Sequence, residues 1–287
     1  MPRMVPKVDR LEEILLFEQM VTGQRPEKVF ALEDAGRKGK TSLLDLIERK
    51  AQELGLVCAR FDFRDTVFDV PEFLAVMHHK LHRSASTIGL GTLLETVSKT
   101  FAELALSLQF VDTPPLGLDV GGSVADMRGT AKETRIAGRD IIEGGAQVSY
   151  SYTVAREQQG EVDRGLAQLF LKCLEATCSE LKIILLFDTF EQASTSGDWL
   201  IRKVFARLRD EWPTNLVVCI VGRSVPSFIG WESVVQRQEG LAPFSLQVHG
   251  DLVRQLGLNL SAEEIAKHFD RLRGDPANTA WFYSILA

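Results

Sequence analysis

Four short stretches of this chain are almost wholly apolar, and each is followed by a segment with helical spacing. They are Lys28-Val-Phe-Ala-Leu-Glu33, residues 56–63, residues 183–187 and residues 216–221. A strand that is apolar at nearly every position, rather than at alternate ones, is expected to be covered on both faces. Apolar residues at helical spacing recur in residues 8–21, 41–54, 71–83, 91–108, 163–182 and 198–210. Strands alternating with helices predict an α/β fold with a mainly parallel sheet flanked by helices. A further strand is expected at residues 244–248. The chain's end reads as helical, with Ser261 and Glu264 spaced as a capping box.

The bulk properties agree with such a fold. The chain has 287 residues, 45% hydrophobic and 25% charged, with a formal charge of -6. This excludes a mainly disordered chain, and no run of about 18 uninterrupted apolar residues suggests a membrane span. Residues 1–10 hold charges but no apolar stretch, so a secretory leader is not expected. The four cysteines, Cys58, Cys173, Cys178 and Cys219, form no C-x-x-C pair, and a cytoplasmic location is expected. Glycines crowd residues 110–160 between short polar–apolar alternations, which reads as an inserted mobile loop or β-hairpin region. His78 and His82 stand four apart, but no carboxylate or cysteine joins them, so an exposed helix face is expected.

The sharpest chemical signal is Asp34-Ala-Gly-Arg-Lys-Gly-Lys-Thr41, between an expected strand and an expected helix. A loop that cradles phosphates needs backbone N–H groups unscreened by side chains, a lysine for the β and γ oxygens, and a hydroxyl for Mg²⁺. It also needs a helix N-terminus, whose dipole favours anions. Gly36, Arg37, Lys38, Gly39, Lys40, Thr41 and Ser42 are the candidates for binding. The usual pattern opens with glycine, and here Asp34 stands in that place. Aspartate tolerates left-handed backbone better than most residues, but its carboxylate must point away from bound phosphate.

Two further strands end in chemistry. Ile183-Ile-Leu-Leu-Phe-Asp188 carries a carboxylate at its C-terminal end, where open α/β sheets bind ligands. With Thr41, Asp188 is a candidate Mg²⁺ ligand, and Glu191, three residues on, is a candidate for polarising water. Asn215-Leu-Val-Val-Cys-Ile-Val-Gly-Arg223 ends in an arginine suited to sensing a γ-phosphate.

Taken together, these motifs resemble the additional-strand (ASCE) P-loop ATPases, and within them the AAA+-related STAND signalling ATPases. Residues 34–42 resemble Walker A, and Leu186-Phe-Asp-Thr-Phe-Glu191 resembles a D-x-x-E Walker B. Val221-Gly-Arg223 resembles the sensor strand, and residues 8–21, with Asp9-Arg10 and Glu12, resemble the opening helix. Arg273-Gly-Asp-Pro276 resembles the Gly-x-Pro motif, whose proline contacts nucleotide. The resemblance implies a three-layer P-loop domain over residues 1–250 and the start of a helical lid over 251–287. It implies ATP and Mg²⁺ as cofactors, slow hydrolysis carried by Lys40, Asp188, Glu191 and Arg223, and Pro276 reporting nucleotide state. STAND proteins usually continue into further modules, so a piece of a longer protein or a short member is implied.

The partners expected are therefore nucleotide and a protein partner or a second copy, with no membrane. The rival reading is a degenerate loop on a scaffold that binds another protein without turnover. A nucleic-acid-remodelling ATPase is disfavoured, since no basic stripe stands out.

Overall fold

The computed structural model describes residues 10–36, 38–64, 70–90 and 159–286, and four strand segments between 134 and 154. Five strands form one sheet: β1 (Val29–Glu33), β2 (Val57–Asp62), β7 (Ile183–Asp188), β8 (Leu216–Gly222) and β9 (Val235–Glu239). Their spatial order is β2-β7-β8-β1-β9, and every neighbouring pair is parallel. In the glycine-rich stretch, β3 (Thr134–Ala137) pairs antiparallel with β6 (Ser151–Val154), and β4 (Ile141–Glu143) with β5 (Ala146–Val148).

Contacts divide the chain into two compact units. One holds residues 1–67, 181–193 and 212–287, and the other holds 68–180 and 194–211. The sheet and the C-terminal helices belong to the first. In the second, α3 (Val70–Thr87) and α4 (Gln159–Glu180) lie with a helical stretch that begins at α5 (Ser194–Trp199) and ends at α6 (Ala206–Leu208). The Trp199 indole N–H donates to the Asp163 carbonyl at 2.9 Å, tying α5 to α4. The rings of His78 and His82 lie 6.3 Å apart on α3, and among the described residues no His, Cys, Asp and Glu cluster could hold a metal.

The sheet is buried as the apolar runs predict. All six residues of β7 and all seven of β8 are buried. One face, through Phe30, Leu32, Ile184, Leu186, Val217 and Cys219, packs with α1 (Leu11–Thr22) and α2 (Lys40–Glu53). Phe17 and Met20 of α1, and Leu43, Leu44 and Ile47 of α2, are wholly buried there. Each such side chain contributes roughly 1.5–3 kcal/mol by leaving water. No basic residue lies in the last turn of α1. Lys28 Nζ reaches the Met20 carbonyl at 2.9 Å and Lys182 Nζ the Val21 carbonyl at 2.6 Å, so two distant ammonium groups close its negative end.

Residues 244–248 are not a strand. Ser245 caps α7 (Leu246–Gln255) by accepting the Val248 N–H at 3.3 Å. Phe244, just before the cap, joins Val248 of the helix in one small cluster. The fifth strand is β9, whose alternating burial and polar residues mark an edge. Two more helices follow, α8 (Ala262–Leu272) and α9 (Pro276–Leu286), and Ser261 and Glu264 form the expected capping box. Among the described residues, no helix is long and apolar enough to cross a membrane.

Candidate functional site

The C-terminal ends of β1, β7 and β8 place the predicted residues on one rim of the sheet. After β1 the chain turns through Asp34 to Gly39 and enters α2 at Lys40. Gly39 is the N-cap and has φ +91°, a conformation that favours glycine. A methyl group on it would meet the Pro276 Cβ and an Arg10 guanidinium nitrogen, each at 3.8 Å. Pro276, the first residue of α9, therefore lies against the turn of this loop. Lys38 is tied to the same helix start, with Nζ 2.9 Å from Asp275 Oδ2. That contact holds the Lys38 ammonium above its ordinary range, first through the hydrogen bond to Asp275 and then through its charge. Arg37 lies outside the described residues.

Asp34, the departure from the phosphate-loop pattern, has a specific place. Its Oδ1 accepts the Ala35 N–H at 2.6 Å, and its Oδ2 accepts the Leu241 N–H at 2.8 Å. The carboxylate is thus spent on backbone donors, one of them beyond β9. Lys40 folds back over its own loop, donating from Nζ to the carbonyls of Asp34 and Ala35, both at 2.6 Å. Burial lowers the Lys40 pKa, opposed by the charges of Asp34, Glu191 and Asp188, and Arg223 lowers it further. Groups from three strand ends therefore share one electrostatic neighbourhood.

Asp188 closes β7 and is 2% exposed. The next residue, Thr189, has φ 56°, an outlier for a β-branched side chain. That turn leads into the single-turn helix holding Glu191. Glu191 Oε2 accepts the Arg223 N–H at 2.9 Å, while Oε1 lies 3.9 Å from Arg223 Nε. The approach requires glycine at 222, where a Cβ would lie 2.6 Å from the Ser224 carbonyl and 2.7 Å from Glu191 Oε2. The Arg223 side chain is 73% exposed, and its guanidinium lies over Gly36. Thr41 and Ser42 occupy the first turn of α2, both partly buried.

The structure therefore gathers Gly36, Lys38, Gly39, Lys40, Thr41, Asp188, Glu191, Arg223 and Pro276 around one loop. It adds three residues the sequence reading did not place there: Arg10, Arg60 and Asp275. Arg10 reaches the carbonyls of Ala242 at 2.8 Å and Lys38 at 3.4 Å. Arg60, on β2, lies 3.1 Å from Asp188 Oδ2. Its signal was a charged residue inside an otherwise apolar strand.

The donor set fits a polyphosphate with a hard divalent cation. Backbone N–H groups open a helix, an ammonium sits on neutral carbonyls it can leave, and a hydroxyl and a buried carboxylate stand nearby. No family model matches the chain, and no curated protein matches it.

Proposed function

We propose that the protein is an ATP-binding molecular switch of the STAND type that hydrolyses its nucleotide slowly. The observation that carries this reading is the meeting of Lys40, Asp188, Glu191 and Arg223, from three strand ends, around a glycine-bearing turn. The sheet order supports it as well, since β8 lies between β1 and β7. That is the arrangement an additional-strand P-loop ATPase of three layers requires.

In this reading Lys40 exchanges the carbonyls of Asp34 and Ala35 for the β and γ oxygens of ATP. The loop amides of Gly36 to Thr41 would bind the phosphates, and Thr41 and Asp188 would hold Mg²⁺. Such an ion would supply positive charge against the phosphate oxygens. Glu191 orients the attacking water, for which it must yield part of its hold on Arg223. The Arg223 side chain, exposed and only loosely paired with Glu191, would swing to the γ-phosphate. Pro276 and Asp275 couple the loop to the C-terminal helices, so the state of the loop is transmitted there.

The contrary reading, a scaffold with a silent loop, draws on one observation: Lys40 and Asp34 are already satisfied by backbone groups. Thermal unfolding with and without Mg-ATP separates the two. A ligand at 100 times its dissociation constant adds about 2.7 kcal/mol, which raises the midpoint by several degrees in a chain of this size. An unmoved midpoint at millimolar Mg-ATP favours the scaffold.

A further inference from the structure

Asp188 presents a buried carboxylate, and such a group must be compensated by an opposite charge or by several hydrogen bonds. The compensating group is not on the glycine-bearing loop. It is Arg60, in the middle of β2, whose side chain is itself only 18% exposed. Arg60 is opposite Leu186 in the β2–β7 register, which puts its side chain on the same sheet face as Asp188, one diagonal step away.

The guanidinium is used as a fork. Nη2 lies 3.1 Å from Asp188 Oδ2 and donates to the Thr41 carbonyl at 3.4 Å. Nη1 bonds Asp45 Oδ1 and lies 3.5 Å from Glu48 Oε2, both on α2. One planar group thus joins the end of β7 to the first turns of α2, and it touches both residues expected to hold the cation. Its single positive charge faces three carboxylates, so the neighbourhood keeps a negative excess and still attracts a divalent ion.

We propose that Arg60 is the positioning residue of the Mg²⁺ site. It fixes the Asp188 carboxylate by Oδ2 and leaves Oδ1, which accepts only a long 3.5 Å hydrogen bond from the Thr189 hydroxyl, to turn to the ion or a water bound to it. Hydrogen-bond partners of metal-ligating carboxylates act in this way, and losing one typically costs 10–100-fold in metal affinity. A lysine in its place keeps the charge but cannot span Asp188, Thr41 and Asp45 at once.

This inference rests on the Mg-ATP reading above, and its test separates the two. A fluorescent, non-hydrolysable ATP analogue is titrated into the intact protein in EDTA and at graded Mg²⁺ concentrations. Wild type, Arg60→Gln and Arg60→Lys are compared. The expected result is an affinity in EDTA that stays within about twofold across the three proteins. The Mg²⁺ concentration for half-maximal enhancement rises roughly 10–100-fold in Arg60→Gln and by less in Arg60→Lys. A purely structural arginine would lower the melting midpoint and leave that Mg²⁺ midpoint where it is, and this result overturns the proposal. Should Arg60→Gln not fold, Arg60→Lys decides by the same criterion. A wild type that binds the analogue neither in EDTA nor in Mg²⁺ overturns the nucleotide reading itself, and the role of Arg60 with it.

Discussion

The rim of the parallel sheet and the C-terminal helices meet at the 34–39 loop, yet they are built by opposite means. At the rim an apolar core stops abruptly: β7 and β8 are buried along their whole length, β7 ends on the buried Asp188, and Glu191 and Arg223 follow the two strands. In residues 246–286 the small apolar cluster of Leu252, Val253 and Tyr283 has a polar centre. There the fully buried His249 lies 3.3 Å from the Tyr283 hydroxyl through Nδ1 and 3.2 Å from the Thr279 hydroxyl through Nε2. The rim depends on burial and carries its charges at the edge. The helices depend on a buried hydrogen-bonded knot, which is sensitive to charge.

The largest effect is expected just before the Asp275–Pro276 contact with the loop. Gly274 has φ +65°, and a Cβ there would lie 2.3 Å from the Phe244 carbonyl oxygen and 3.1 Å from the Phe244 nitrogen. Because the obstacles are backbone atoms, Gly274→Ala should destabilise the C-terminal helices by about 3 kcal/mol, seen as an early transition in urea. Gly222→Ala should cost about 2 kcal/mol, and it should also displace Glu191 and slow any ATP turnover more than it weakens binding.

His249→Ala removes one side of the knot and leaves two buried hydroxyls short of a partner, for a loss of about 2 kcal/mol. The same knot predicts a pH dependence. Burial, and secondarily the charge of His268, hold the His249 pKa below its ordinary 6.5. The unfolded chain therefore takes up a proton that the folded one refuses. Stability of the helices should fall as pH drops below about 6.5, and His249→Ala should flatten that slope in denaturant melts at pH 7.5 and 5.5. The smallest effect belongs to the Lys38–Asp275 pair, which is partly exposed on both sides. Lys38→Ala should change stability by less than about 0.5 kcal/mol.

The strands that build the rim were readable because burial on both faces leaves an unbroken apolar run, as in Ile183 to Phe187. β9 was not readable, since Val235-Gln-Arg-Gln-Glu239 is polar after its first residue and carries no apolar run. Residues 244–248 do alternate apolar and polar as a strand would, and only the Ser245 cap reverses their meaning. Within the site, Lys40, Asp188, Glu191 and Arg223 were visible as motif positions. Asp34 could not be resolved from its neighbours, because the donor that turns its Oδ2 aside is Leu241, far along the chain. Arg60 stands out locally only as a charge inside an apolar run; its role depends on the register of β2 against β7, which no local pattern encodes.

The most direct test of the central claim is calorimetric titration of a non-hydrolysable ATP analogue with Mg²⁺ into wild type and Lys40→Ala. The account predicts binding by the wild type and its loss in the variant, because Lys40 is the ammonium that must leave the Asp34 and Ala35 carbonyls for phosphate. Equal affinity in the two proteins, or no heat from either, would contradict it.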